Sequence, residues 1–289
     1  MDVSGKTEGR SSSRGQAAKA LVIRPWLLTI VLATGLCLLY LVGVIVHWEQ
    51  EADRSLYANL GMIPIGLAAT LLALSAAKSE PDRRRATAWR LLGAGLACFW
   101  AGDLLYFVYT DILGTSPFPS WADAGYIAYY PLVFAGLLCF RGLAASHLRR
   151  VSTDLACLLV VVVGGAAITY FLLVPTLQSS HQDLLAYSLS AGYPLGDLLL
   201  LAGIAWILLR RVQGYRWSIL LLSAGLIVGL VADVSYGYAT IHGTFESGGF
   251  SDASYMLSWA LFGWAGYLEI GHERAHSAKL RWSDRAREL

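Results

Sequence analysis

The chain has 289 residues, of which 56% are hydrophobic, with a mean hydropathy of +0.53 and a formal net charge of +2. This composition excludes an ordinary soluble domain, because apolar runs of about 20 residues, the length that crosses a hydrocarbon core, recur along nearly the whole chain. The four cysteines lie in apolar runs without paired spacing, which favours small core side chains over disulfides or metal ligands.

We therefore predict an all-α polytopic membrane protein with about eight transmembrane helices built from repeated helical hairpins. Residues 1–23 are rich in Ser, Gly, Lys and Arg, which predicts a disordered basic tail in front of a membrane domain over 24–271. The predicted spans in chain order are 24–46, 57–77, 87–110, 122–143, 151–174, 184–209, 217–241 and 253–271.

The last residues, 272–289, predict a helical cytoplasmic tail. Their small and apolar side chains recur at spacings of three and four, which places them on one stripe of a helix. No Gly, Asn or Pro ends this pattern, so we expect further protein beyond Leu289.

The distribution of Lys and Arg predicts the orientation. All 22 basic residues except Arg54 fall in the two tails and in alternate connections between spans. By the positive-inside rule, both termini are cytoplasmic. The basic balance is therefore a topology signal with attraction to the lipid bilayer, and it gives no support to a nucleic acid partner.

Two stretches, 91–136 and 221–266, are copies of one another and predict repeated hairpins around a shared centre. The first helix of each copy carries an Asp and a Tyr three residues apart, and an Asp-Ala-x-Tyr opens the return helix. The matching pairs are Asp103 with Asp233, Tyr106 with Tyr236, Asp123 with Asp252, and Tyr126 with Tyr255. A weaker echo sets Tyr130, Pro131 and Leu132 over Tyr193, Pro194 and Leu195.

Acidic residues on the outer half of the predicted bundle are the main candidates for a site. Asp103, Asp197 and Asp233 lie within spans, where acids are costly and face a cavity or a partner. No Lys or Arg shares their depth, so protons, aromatic hydroxyls or a bound cation must compensate them. Asp123 and Asp252 stand at helix starts, where an N-cap is the favoured interpretation.

The functional interpretation is an outward-facing pocket for a cation, an amine-bearing ligand or protons. The competing interpretation is that each Asp stabilises its own hairpin and that the aromatic residues form an interfacial belt. The candidate ligand-binding residues are Asp103, Tyr106, Asp233, Tyr236, Asp197, Tyr193, Tyr130 and Trp100.

Two histidine patterns are candidate metal sites. The sequence HERAH, with His272 and His276, matches HExxH, but it lies in a basic flank outside the membrane and we interpret it as a coincidence. His47, His181, His242 and Glu246 share the outer side without a ligand spacing, which favours surface histidines. No catalytic residue and no cofactor is predicted.

Three stretches, PSWADAGYIAYYPL, YPLGDLLLLAG and ADVSYGY, resemble the multi-helix membrane regions that precede GGDEF and EAL domains in bacterial cyclic-di-GMP signalling proteins. The resemblance covers about residues 24–271. It implies an input module of the bacterial inner membrane that senses an extracytoplasmic ligand, ion or lipid and relays a change through its last helix. The chain contains neither GGDEF nor EAL, so no enzymatic activity carries over to it.

Two other functions remain open at this stage. A small transporter or proton-coupled carrier fits the repeats, the mid-membrane prolines and the unpaired acids. An intramembrane metalloenzyme using HERAH is the third. A relay through parallel helices works in dimers, so we expect a homodimer and a C-terminal cytoplasmic output domain as partners.

Overall fold

The computed structural model describes residues 51–141, 147–175, 184–209 and 215–288, with a few residues between 35 and 46. The predicted basic tail and nearly all of the first predicted span therefore lie outside the described residues. The helices are α1 (Glu51–Ser79), α2 (Arg83–Phe107), α3 (Trp121–Cys139), α4 (His147–Ile168), α5 (Leu184–Leu209), α6 (Arg216–Ile241) and α7 (Phe250–Glu288). Two π-helical turns, Val108–Ile112 and Thr169–Leu173, extend α2 and α4.

Six of the described helices are long and apolar enough to cross a membrane. They occupy Arg54–Ser79, Arg83–Ile112, Trp121–Cys139, Val151–Leu173, Leu184–Leu209 and Arg216–Ile241. The described residues thus confirm the predicted all-helical fold and indicate a multi-pass membrane protein, whereas the count of eight spans and the orientation of the termini stay predictions. Helix α7 is not among the six, and it continues unbroken from the last predicted span through the predicted helical tail to Glu288.

Six helices form a closed ring around the core. In the order α1, α2, α3, α5, α6 and α7, each helix packs on the next, and α7 packs on α1 to complete the circle. Helix α4 lies outside this ring against α5. Buried Leu, Ile, Ala and aromatic side chains from the ring helices fill the centre. We call the end that carries residues 108–120 and 242–249 the outer end, and the opposite end the inner end.

The ring consists of two equivalent units of three helices. Helices α1, α2 and α3 form the first unit, and α5, α6 and α7 form the second, with the same order of neighbours in each, although α5 packs less extensively on α6 than α1 does on α2. In the register that sets Asp103 over Asp233, Pro64-Ile65-Gly66 of α1 falls on Pro194-Leu195-Gly196 of α5. Helix α5 is thus the counterpart of α1, although the echo in the sequence had matched it to α3. The repeat is larger than the predicted hairpin.

The glycine after each proline lets an aromatic ring from the other unit approach the backbone. A methyl group placed on Gly196 would lie 2.5 Å from the Tyr130 ring, and one on Gly66 would lie 3.2 Å from the Trp259 ring. Tyr130 and Trp259 occupy equivalent positions on α3 and α7. These two approaches join the units into one ring.

Candidate functional site

The two acids that the repeat singled out each accept a hydrogen bond from the return helix of their own unit. The Tyr126 hydroxyl donates to Asp103 Oδ1 across 3.0 Å, and the Tyr255 hydroxyl donates to Asp233 Oδ1 across 2.7 Å. The four residues come from the two copies in matching positions. The site is therefore built twice by the same local sequence.

A second pair of contacts crosses between the units. The Tyr130 hydroxyl of the first unit donates to Asp233 Oδ2 of the second unit at 3.5 Å, a long hydrogen bond. In the equivalent position, the Trp259 indole of the second unit lies at the Asp103 carboxyl of the first. Each acid thus meets aromatic groups from both units, and a movement of one unit against the other changes the surroundings of both acids.

Asp197 of α5, which lies three residues inward of Pro194, belongs to the same group. Its side chain is 1% exposed, and its carboxyl group lies within hydrogen-bonding reach of Asp233. Asp197 Oδ1 and Asp103 Oδ2 are buried and have no hydrogen-bond partner among the described residues. Two carboxyl groups this close, in a site without Lys or Arg, require a shared proton or a bound cation.

We refer to these residues together as the acid–tyrosine network. Its members are Asp103, Asp197, Asp233, Tyr126, Tyr130, Tyr255 and Trp259. The phenyl ring of Phe99 packs beside it, with ring centroids 4.9 Å from Tyr126 and 5.6 Å from Trp259. Aromatic side chains that contact the carboxyl groups therefore pack against this shared phenyl ring.

The acids at the two helix starts accept hydrogen bonds from backbone amides that precede their helices, although the N-cap of α3 is Ser120 and Asp123 is the third helical residue. Asp123 Oδ2 accepts from the Ser120 backbone amide at 2.7 Å in a capping box, and Asp252 Oδ2 accepts from the Gly248 amide at 2.6 Å. Asp123 also accepts a hydrogen bond from the Tyr193 hydroxyl. Tyr193, one of the predicted site residues, thus ties α5 to the start of α3.

The other predicted residues lie around the network without binding its acids. Trp100 Nε1 donates to the Ile63 carbonyl at 2.8 Å and so joins α2 to α1. The Tyr236 ring packs edge-on against Phe245, with centroids 4.9 Å apart, and Tyr106 lies within electrostatic range of Tyr236. Tyr126 and Tyr255, which bind Asp103 and Asp233 within each unit, are absent from the predicted list, although the repeated Asp-Ala-x-Tyr was a signal for both.

The two histidines of HERAH are not arranged as a metal site in the part of the chain that the structure describes. The His272 ring stacks on Tyr215 with centroids 4.4 Å apart, and Glu273 faces Arg85 at 3.7 Å. His276 is exposed, and neither histidine belongs to a described group of three potential ligands. This arrangement gives the metalloenzyme hypothesis no support.

The outer histidine pattern has a similar outcome where it can be followed. His242 Nδ1 lies 2.8 Å from the Tyr238 carbonyl, and Glu246 pairs with Arg54 at 3.3 Å. His47 and His181 lie outside the described residues.

An apolar layer lies between the network and the inner end of the ring. Leu96 and Leu226 occupy equivalent buried positions about two turns inward from Asp103 and Asp233. The same layer contains Trp89, Leu92, Val133, Leu222 and Phe262, which line a small void without charged or hydroxyl side chains.

No protein-family model, no curated protein and no solved structure matches the chain.

Proposed function

We propose that the chain is the sensory input module of a bacterial membrane signalling protein of the cyclic-di-GMP type. In this proposal it sits in the inner membrane with both termini in the cytoplasm. Protons or a small cation reach the acid–tyrosine network from the extracytoplasmic side. The observation that carries the proposal is that Asp233 accepts hydrogen bonds from both units, through Tyr130 and Tyr255.

The size of the ligand follows from the packing. The aromatic side chains that contact the carboxyl groups are packed against further aromatic rings, so the site suits a proton or a single ion better than an organic amine. Adding or removing one positive charge between Asp197 and Asp233 changes what Tyr130 can donate to. A ligand that binds two packings unequally shifts the balance between them.

Helix α7 supports the relay. It carries Tyr255 and Trp259 of the network and runs as one helix to Glu288. At about 1.5 Å per residue, the distance along α7 from Tyr255 to Glu288 is roughly 50 Å. A tilt or shift of α7 at the network therefore moves its far end, where an output domain and a homodimeric partner would receive it.

Transport is the main alternative, and the apolar layer argues against it. A carrier needs a polar route past Leu96 and Leu226, which are 4% and 1% exposed inside the ring. Flux of protons or alkali cations into proteoliposomes separates the two functions, because a sensor is expected to show none above empty vesicles.

The central test measures hydrogen exchange in the inner half of α7, residues 269–276, while the pH outside oriented nanodiscs or vesicles is varied. We expect a change in exchange in the unaltered protein and its loss in Asp233→Asn. Asp111→Asn is the matched control, since Asp111 is an outer acid that binds Asn59 and lies outside the network. An unchanged response in Asp233→Asn would refute the network as the sensor.

The link to an output domain has its own test. The mass of the native product in source membranes, detected through an internal epitope, is compared with 31.3 kDa. A markedly larger species supports an input half of a signalling enzyme. A species of this mass removes the relay to a covalently attached enzyme from the proposal.

A further inference from the structure

Four charged residues from three parts of the chain meet at the inner end of the ring. Glu80 follows α1, Arg85 lies in the first turns of α2, and Glu269 and Glu273 are one turn apart on α7. One carboxylate oxygen from each glutamate lies within 4.8 Å of the other two. We call these four residues the inner cluster.

Arginine alone does not balance the inner cluster. Arg85 contacts Glu80 at 2.9 Å, Glu273 at 3.7 Å and Glu269 at 3.9 Å. Its guanidinium supplies one positive charge against three carboxylates. When all three are ionised, the inner cluster carries two uncompensated negative charges, which equals the charge of one divalent cation.

Glu269 is the group that arginine leaves least satisfied. Its side chain is 1% exposed, and neither carboxylate oxygen has a hydrogen-bond partner among the described residues. Glu80 Oε2 is buried in the same condition. Burial raises the pKa of the Glu80 carboxyl above its usual range. Buried carboxylates of this kind are costly unless they are paired or coordinate a metal.

The fold does not require acids at this place. In the register of the repeat, Glu269 of α7 corresponds to Phe140 at the end of α3. Phe140 is 1% exposed and packs edge-on against Trp89, with ring centroids 6.4 Å apart. The first unit thus closes its inner end with an apolar contact, while the second places a carboxylate there.

We propose that Glu80, Glu269 and Glu273 bind a divalent cation of the size of Ca²⁺ or Mn²⁺. Oxygen ligands lie about 2.3–2.6 Å from Ca²⁺, so two ligands on opposite sides of the ion are roughly 5 Å apart, in agreement with the spacing here. Arg85 is 23% exposed at the edge of the inner cluster, where water completes the coordination. The bound ion would join α7 to the connection between α1 and α2.

The test is direct binding to the purified full chain in detergent, with Mn²⁺ followed by electron paramagnetic resonance and Ca²⁺ and Mg²⁺ as competitors. We expect saturable binding of about one ion per chain, displaced by Ca²⁺ at lower concentration than by Mg²⁺. Glu269→Gln and Glu273→Gln should each weaken the affinity at least tenfold. Glu246→Gln is the control, because Glu246 is an outer glutamate that also pairs with an arginine.

A second measurement covers variants that fail to fold. The midpoint of thermal unfolding of the unaltered protein should rise with added Ca²⁺ or Mn²⁺ and fall back with a chelator. The proposal is overturned if the unaltered protein neither binds Mn²⁺ saturably nor responds to the ions. It is also overturned if Glu269→Gln binds as tightly as the unaltered protein.

Discussion

The two three-helix units differ most informatively at two positions where only the second unit carries an acid. Asp197 of the second unit corresponds to Leu67 of the first, and Glu269 corresponds to Phe140. At both places the second unit buries an acid, 1% exposed, where the first carries an apolar side chain. The shared parts, by contrast, are the hydrogen bonds of Asp103 and Asp233 to their own return helices.

This difference helps to separate residues that the packing of the ring requires from residues that can bind a proton or a cation. Phe140 closes the inner end of the first unit, so an acid at the equivalent position, Glu269, is not needed for packing. Leu67 is 38% exposed, so the burial of Asp197 has no counterpart in the first unit. A buried acid lowers stability unless something compensates its charge. Asp197 marks the network and Glu269 marks the inner cluster, and both lie in the unit that ends in the long α7.

The largest expected effect comes from substitutions at the inner ends of the two units, at Phe140 and Glu269. Phe140→Ala should lower the free energy of unfolding by about 3–5 kcal/mol, because it removes a buried ring that packs on Trp89. Glu269→Leu in the presence of a chelator should leave stability unchanged or raise it, because it removes an uncompensated carboxylate. Denaturant unfolding in detergent measures both. A comparable loss in Glu269→Leu would mean that the acid is a packing requirement.

The proline helices allow the next comparison, through the glycines at which the units meet. Gly196→Ala should cost about 1–3 kcal/mol, since the added methyl would lie 2.5 Å from Cγ of Tyr130, where the ring joins the rest of the side chain. Gly66→Ala should cost less, because its closest contact is at 2.9 Å, to an edge atom of Trp100. Thermal unfolding in detergent ranks the two variants.

Gly271→Ala on α7 is the control for these variants. A methyl group at Gly271 would meet no atom within 4 Å, so helix propensity alone should act and stabilise the chain by up to about 1 kcal/mol. Equal losses at Gly66, Gly196 and Gly271 would show that the close approach of the rings is not what matters.

The sequence revealed the hairpin repeat because identical residues recur there in register. The equivalence of α1 and α5 is harder to see, since proline and glycine of a Pro-x-Gly are nearly all that they share near the network. The contacts between the two units cannot be recognised in the sequence, because the residues that make them differ in chemical type. Tyr130 and Trp259 are equivalent but of different types, and each meets an acid of the other unit, so comparison of the copies alone does not pair them.

The inner cluster could not be predicted for a different reason. Glu80 and Glu269 lie far apart in the chain, and only closure of the ring by α7 against α1 brings them together. Charged residues near the basic flanks were explained by topology alone. The histidines of HERAH are the residues that indicate a metal site in the sequence, whereas the residue of this motif that lies in the inner cluster is Glu273.

The matched hydrogen bonds of the network give a smaller effect that tests the symmetry itself. Tyr126→Phe and Tyr255→Phe each remove the hydrogen bond that a network carboxyl group accepts from its own unit, which should cost about 1–3 kcal/mol. Tyr130→Phe should cost less than either, because its hydrogen bond to Asp233 is 3.5 Å long. Unfolding of the three variants under one condition measures this order, and a dominant Tyr130 effect would contradict it.

The smallest expected effect concerns a cap that only the first unit has. Asp82 accepts hydrogen bonds from the Arg84 and Arg85 amides at the start of α2, while Tyr215 at the start of α6 makes no such bond. Asp82→Ala should cost about 1 kcal/mol and bring α2 to the uncapped condition of α6, whereas Asp82→Asn retains most of the cap.

The pH dependence of this cap tests whether the ionised carboxylate of Asp82 is the stabilising form. The backbone amide of Arg85, followed by that of Arg84, holds the pKa of Asp82 below its usual value, so the folded chain favours the ionised carboxylate. Its contribution is therefore present above the pKa of the unfolded chain, about 3.9, and is lost as the pH falls through the lower folded value. Unfolding midpoints from pH 6 to pH 3 should converge for the unaltered protein and Asp82→Ala, while Asp82→Asn keeps a constant margin over Asp82→Ala. A gap that widens toward low pH would show that the carboxylate does not act as the cap.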